Sequence, residues 1–459
     1  MRVVNGIAPR LGFVRRLVHR AAMRSATLFA VVALAAAGAA GIARADSPKA
    51  GPSDVLRAWF NMTLDLTRHT ATLTPPVASR AYAYIGVAAY ESLASGSDKL
   101  ATLAGQLNEL TPFPARDAGA SYDDAIILDS ALNATVNDLF SNTGPTGHRA
   151  LDALEKLLHG QVTAGVADDV VARSEAYGKA VAGHVLDWSR NDGGATVVNM
   201  GFPLKYTLTP GPQYWVPTSA IVQQQAPLLP DWGKNRPFAM PAGTSCALPD
   251  PPAYSEDPGS EYYKQAMEVY QAWKNITPEQ RAIARFWADD AMLSVTPPGH
   301  WVSIALAIID RDKIEPYKAA EILVRLGIAE ADAFIGCWQS KFVYNTVRPI
   351  TYIRRVIDPK FDPIVTTPPF PEFPSGHSTQ SAAAAAVLTA LLGDNFAFED
   401  ATDAEDGLTP RSFPSFKAAS DEAAISRLYG GIHYRAAIEM GADQGRCVAA
   451  YTIALKTAR

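Results

Sequence analysis

Pro374-Ser375-Gly376-His377 stands immediately before AAAAAVLTALL, a run of strong helix formers. The spacing predicts that Ser375 and Gly376 open a helix. The first N–H groups of a helix have no partner within it, and the macrodipole makes that end partly positive, so such an end receives anions. Gly376 leaves space for an oxyanion against the backbone. Ser375 adds a hydroxyl donor, and His377 brings a group that titrates near neutrality. Taken alone, the same four residues describe an N-capping serine beside a surface histidine. Two further stretches supply what an anion site needs. In KFVYNTVRP, Lys341 and Arg348 are seven apart, two helical turns on one face, with Pro349 ending the helix. In SRLYGGIH, Gly430-Gly431 stops one helix and the next starts near His433, which puts Arg427 at a helix end and His433 at a helix start. Arginine grips an oxyanion bidentately, and lysine acts as a point charge. Three cations, one helix mouth and two imidazoles are the inventory for holding a tetrahedral oxyanion. One histidine coordinates or attacks its central atom while the other exchanges protons. The histidines at 19, 69, 148, 159, 184 and 300 fall in no comparable context and receive no role.

These residues need a scaffold, and the chain supplies a helical one. From Ser53 to about Asn191, and again after Gly259, apolar residues recur at three-to-four spacing between short Gly/Pro/Ser breaks. SDVLRAWF starts with a serine cap. Thr277-Pro278-Glu279-Gln280 reads as a capping box, with its helix running on through ARFWADDAMLS. PYKAAEILVRLG and EADAFIGCWQSKFVYNTV follow as helical segments. Residues 196–258 are rich in proline and carry Trp215 and Trp232, which predicts an ordered crossing that packs on the protein. No alternating strand run and no fixed-period repeat is present. The expected organisation is all-α, with an N-terminal helical half (46–195), the crossing (196–258) and a C-terminal helical half (259–459) that carries the site.

The net charge of −5 over 459 residues argues against nucleic-acid or anionic-membrane binding as the general mode, so a bound anion needs a local gathering of cations. Residues 1–45 read as an export signal. Six arginines between Arg2 and Arg24 precede the apolar LFAVVALAAAGAAGI, and Ala43-Arg44-Ala45 offers a cleavage site before Asp46. A mature chain beginning near Asp46 would be secreted or periplasmic. No later apolar run approaches the ~20 residues that span a bilayer, so no stable membrane insertion is expected after signal removal. Cys246, Cys337 and Cys447 are too few for a disulfide framework but allow one bridge and one thiol.

K-x6-RP, PSGH and SR-x5-H, in this order and with these separations, resemble the vanadium-dependent haloperoxidases and the related acid phosphatases. The resemblance covers roughly the last quarter of the chain. It implies two helix bundles packed as one large vanadium-chloroperoxidase-like unit with vanadate as cofactor. Lys341, Arg348, Ser375, Gly376 and Arg427 would bind the equatorial oxygens. His433 would be the axial metal ligand, His377 the acid–base residue, and Lys341 the group that polarises peroxide. Trp338 and Phe370 are similar to the aromatic residues of a halide pocket. Asp290 in FWADD, shortly before Thr296-Pro297-Pro298, resembles the carboxylate that orients the acid–base histidine, with Asp289 beside it as the other choice. The implied partners are hydrogen peroxide, a halide and a small organic acceptor, and the implied reaction is halide oxidation to a hypohalous-acid-type species. The alternative is an acid phosphatase that hydrolyses phosphate esters through a phosphorylated His433. A third reading, a non-catalytic oxyanion binder, leaves the histidine pair unexplained. One position departs from the pattern: the family often has Asp four residues after the ligand histidine, where this chain has Ala437. Glu439, two residues further, lies on a different part of the helix. The loss predicts weakened retention of vanadate, because partners behind a metal ligand commonly change affinity about 10- to 100-fold.

Overall fold

Proline at the first turn and oxygen-bearing caps begin most of the helices, and glycines decide where two of them touch. The computed structural model describes residues 49–197, 201–218 and 226–459. The expected export signal at 1–45 lies outside the described residues. Helices in the first half are α1 (Pro52–His69), α2 (Pro75–Ala94), α3 (Asp124–Leu139), α4 (Pro145–Val162) and α5 (Asp168–Ser189). The second half holds α6 (Glu261–Lys274), α7 (Pro278–Phe286), α8 (Thr296–Asp312), α9 (Pro316–Tyr344), α10 (Pro349–Val356), α11 (Gly376–Leu392), α12 (Phe416–Tyr429) and α13 (Arg435–Ile453). Residues 49–459 form one compact unit. Among the described residues, no helix is long and apolar enough to cross a membrane.

The axis of the core is α9, whose 29 residues are buried over most of their length. The two segments expected in this region are one helix that runs straight through Gly327. That glycine is a point of close approach: a Cβ there would lie 2.9 Å from the Tyr82 carbonyl oxygen of α2. Gly86 answers it from α2, where a Cβ would stand 2.9 Å from the Val324 Cα. The backbones therefore pack directly, which lets α9 carry Trp338 and Lys341 into the centre of the second half. In the crossing, Trp215 and Trp232 are buried. The Trp215 N–H donates to the Asn345 carbonyl at 2.8 Å, just after α9 ends.

The mouth of α11 is set by a second glycine contact. Gly441 and Gly445 of α13 face the first turns of α11, and a Cβ on Gly445 would lie 2.0 Å from the Thr379 carbonyl oxygen. Gly445→Ala is expected to destabilise the fold by about 1–3 kcal/mol, the usual cost of overpacking. A lowered urea midpoint at unchanged slope checks this; an unchanged midpoint contradicts the contact.

Four local expectations are corrected. α1 starts at Pro52 after Gly51, not at a serine cap. α7 stops at Phe286, and Asp289 takes a left-handed conformation with φ 49° that breaks any helix through ADDAML. α9 ends at Tyr344 with Asn345 left-handed (φ 49°), so Arg348 does not share a helix face with Lys341. Pro349 begins α10 and does not close α9, because its fixed φ suits the first helical position and its missing N–H costs nothing there. A small antiparallel hairpin also exists, Phe398–Asp400 (β1) paired with Arg411–Phe413 (β2), with Phe398 opposite Phe413. Strands of three residues are too short to show a period of two. Cys246 and Cys447 form a disulfide across 201 residues, which ties the crossing to α13, while Cys337 is a buried thiol.

Candidate active site

Ser375 caps α11 as its local sequence predicts: its Oγ accepts from the Ser378 N–H at 3.3 Å, and Gly376 is the first helical residue. Space beside Gly376 is open to a ligand. A Cβ there would meet only Trp338 and Phe334 rings, at 3.8 and 4.0 Å. Trp338 and Phe370 pack together with centroids 4.8 Å apart, beside this mouth. The Phe370 ring in turn lies 5.1 Å from Lys341 Nζ and 5.0 Å from the Arg348 guanidinium carbon.

The three cations expected from the sequence converge, although by different routes. Lys341, Arg348 and Arg427 are 0, 0 and 1% exposed. Burying cations costs several kcal/mol each unless counter-charge or ligand compensates. Burial pulls Lys341 down to about 7 and both arginines down to about 10. Arg348 donates from Nε to the Phe370 carbonyl (2.8 Å) and from Nη1 to the Ile432 carbonyl (3.1 Å), and its buried Nη2 has no partner. Arg427 bonds through Nη1 to the Trp287 carbonyl and leaves Nε without a partner. Lys341 differs. Its three protons go to the carbonyls of Pro371 (2.9 Å), Glu372 (3.0 Å) and Pro374, so it staples down the approach to Ser375. In this arrangement Lys341 contributes its charge to the site but has no proton free for an oxyanion.

The two histidines lie in the field of this cluster. His433 Nδ1 lies 2.8 Å from Glu372 Oε1, and Nε2 lies 3.1 Å from Arg348 Nη1. Arginine only donates and an ionised carboxylate only accepts. The neutral tautomer with its proton on Nδ1 satisfies both, and it keeps the lone pair on Nε2. Burial, then Arg348, Lys341 and Arg427, hold His433 well below its ordinary value, so it stays neutral as a metal ligand must. His377 is lowered in the same way by burial, Arg427 and His300. Its ring bonds to the Trp287 carbonyl, and its Nε2 has no partner.

Glu372 is the residue that the sequence reading missed. Ala437 is fully buried, and its carbonyl accepts the Ser375 N–H at 2.9 Å, so nothing reaches His433 from that position. The carboxylate arrives instead from the segment before α11. Besides His433, Glu372 Oε1 accepts the Tyr434 N–H at 3.0 Å. Burial pushes Glu372 up to about 7, against the pull of that N–H and of Arg348 and Lys341. The expected gap behind His433 is therefore filled. The only hint in the sequence was an acid inside an otherwise apolar FPEFP. Glu439 pairs with Arg435 at the surface.

The carboxylate that faces His377 is Asp289, not Asp290. Asp289 Oδ2 lies 3.9 Å from His377 Nε2. The left-handed turn at Asp289 aims its side chain inward, while the Asp290 carbonyl receives the N–H groups of Leu293 and Ser294 and its carboxylate lies in the field of Arg427.

The donor set suits a small tetrahedral oxyanion with a metal at its centre. Arg348 Nη2, Arg427 Nε and His377 Nε2 are buried polar atoms without partners. A helix mouth and the neutral His433, whose Nε2 takes a hydrogen bond from Arg348 Nη1, stand beside them. The two guanidinium donors, left unpaired, are costly; an oxyanion of the size of vanadate or phosphate would satisfy them.

Comparison with known proteins agrees. A family model described as the VCPO second helical-bundle domain matches residues 321–458. A search of curated proteins finds no match. The crystal structure of a bacterial vanadium-dependent iodoperoxidase is 36% identical, with a TM-score of 0.81, over 90% of this chain and 98% of that one. The holo and apo forms of a bacterial vanadium-dependent chloroperoxidase share the fold at 15% identity. Their TM-scores are 0.62 and 0.61, each over 88% of this chain and over 93 and 94% of theirs. With that identity across nearly the whole length of both chains, this protein belongs to the vanadium-dependent haloperoxidase family.

Proposed function

We propose that this enzyme oxidises a halide with hydrogen peroxide, by the balance X⁻ + H2O2 + H⁺ → HOX + H2O, at a vanadate held against the mouth of α11. The observation that carries the reading is the pair of unpartnered donors, Arg348 Nη2 and Arg427 Nε, gathered with the neutral His377 and His433. Vanadate, when bound, supplies Lewis-acid activation of the peroxide. The protein does the rest. Arg348, Arg427 and the first N–H groups of α11 hold the oxygens, and Ser375 adds a hydroxyl. His433 would offer Nε2 to the metal in exchange for its hydrogen bond from Arg348 Nη1, with its proton fixed on Nδ1 by Glu372. His377 Nε2 takes a proton from the incoming peroxide and returns it to the departing oxygen, and Asp289 faces the imidazolium formed in between. Lys341 keeps the 371–374 segment in place and adds positive charge. Trp338 and Phe370 form a dry wall where a weakly hydrated halide can approach.

Iodide, the halide of the relative at 36% identity, is the first substrate to assay. Protein reconstituted with orthovanadate should iodinate or brominate a phenol dye when peroxide is added. Vanadium-loaded protein that acts on none of iodide, bromide and chloride, but hydrolyses a phosphate ester in its vanadate-free form, would replace this reading with the phosphatase. We also infer export. The signal-like residues 1–45 and the Cys246–Cys447 disulfide both suit an oxidising compartment. A mature N-terminus near Asp46, read from protein recovered outside the cytoplasm, tests it.

A further inference from the structure

His300 takes no part in the steps above, yet it is fully buried and bonded at both nitrogens. Nδ1 lies 3.0 Å from Asp289 Oδ1, and Nε2 lies 2.8 Å from Asp400 Oδ2. Ionised carboxylates cannot donate, so a ring bonded to two of them carries both protons. Trp287 stacks on one face at 4.6 Å, with 21° between the planes, and Phe286 meets the ring on edge. The far oxygen of Asp289, Oδ2, is the one that faces His377. Asp289 also sits in a left-handed conformation that costs a residue with a Cβ some free energy, so this turn needs an anchor.

We propose that His300 is a positioning residue: a permanently charged imidazolium, clamped between Asp289 and Asp400, that fixes the Asp289 carboxylate beneath His377. The proposal rests on the reading of His377 as the acid–base group. It joins three distant parts of the chain, the turn after α7, the first turns of α8 and the β1 strand, into one ion cluster behind the site.

The surroundings of His300 favour the charged form. Asp289 approaches from the turn, Asp400 from β1 and Asp403 from the loop after it. Arg68 of α1 stands 3.8 Å from Asp403 and pairs with Asp406. On the site side are His377 of α11 and Arg427 of α12, with Asp290 facing Arg427. Burial alone would lower His300, but the fields and hydrogen bonds of Asp289 and Asp400 raise it well above its ordinary value. Asp400 is correspondingly held below the usual carboxylate range, by His300 and the Thr402 N–H against its burial. Because the folded value is raised, His300 adds stability that is complete below its unfolded value of about 6.5 and is lost as pH rises through the folded value.

Atoms of Asp289, His300 and Asp403 also lie within 4.8 Å of one another, a spacing that a divalent cation could bridge. A cation there would need one bare ring nitrogen on His300, so the two states are separable. In full-length protein with 15N-labelled histidine, both His300 nitrogens should resonate as protonated from about pH 6 to 8. His300→Gln gives the assignment. A bare nitrogen on His300 near neutrality, or a stoichiometric divalent cation in the purified protein, overturns the proposal. For function, His300→Gln and Asp400→Asn should each lower kcat for iodide oxidation about 10- to 100-fold and shift its pH profile, with vanadate affinity by equilibrium dialysis unchanged. A lower melting temperature with an unmoved pH profile would mean a merely structural role and refute the inference. Asp400→Asn retains the imidazole if His300→Gln does not fold. Wild-type protein that fails to oxidise any halide defeats the functional reading, while the 15N spectrum still decides the charge on His300.

Discussion

His377→Ala should lower kcat for halide oxidation by about 100- to 10,000-fold, the range contributed by one positioned acid–base group. At about 1.4 kcal/mol per decade this is about 3–5 kcal/mol of barrier. The buried Nε2 of His377 has no partner and lies 3.9 Å from Asp289 Oδ2, which leaves its lone pair free to take the proton. Vanadate affinity should change far less, because Arg348, Arg427 and the helix mouth remain. Burial and Arg427 hold the free imidazole well below its ordinary value, so it starts neutral and able to accept. Steady-state kinetics with iodide, together with equilibrium dialysis of vanadate, separate the two effects. Equal losses in affinity and turnover would show His377 to be a binding residue only.

Removal of His433 should have the opposite signature. His433→Ala is expected to abolish vanadate retention, and halide oxidation with it, because among the described residues His433 is the imidazole whose Nε2 meets Arg348. Glu372 provides the graded test. Glu372→Gln keeps an acceptor for His433 Nδ1 but removes the charge, and should weaken vanadate binding about 10-fold. Glu372→Ala frees the ring to turn and should reach about 100-fold. The structure motivates this order because the 2.8 Å contact to Nδ1 and the 3.0 Å contact from the Tyr434 N–H both fall on Oε1, and both are lost only in the alanine variant. Dialysis against orthovanadate measures it. If both variants bind as the parent does, Glu372 does not position the ligand.

The same residue shows how a departure from a family pattern should be read. Ala437 removes a carboxylate at one address, and its small buried side chain lets the backbone of α13 receive the Ser375 N–H directly. Glu372 restores a carboxylate from across that contact. Weak vanadate retention, expected from Ala437 alone, no longer follows.

What the amino-acid sequence determined was local. Ser375 caps α11 because a hydroxyl before an alanine-rich run satisfies an orphan N–H within one turn. Arg427 and His433 flank Gly430-Gly431 because a glycine pair, with Gly431 in the left-handed region at φ 81°, lets the chain leave one helix and turn into the next. Those rules act over a few residues, and they yielded the helix mouth, the cations and both histidines. The tertiary structure decided the rest. Lys341 meets three carbonyls, and Arg348 reaches His433 by way of a left-handed Asn345 and a new helix, not along one helical face. Glu372 lies 61 residues from His433, and Asp400 lies 100 residues from His300. A buried carboxylate or imidazole gains its partner only when the core closes and water is gone, and its immediate neighbours in sequence carry no record of which group will be there.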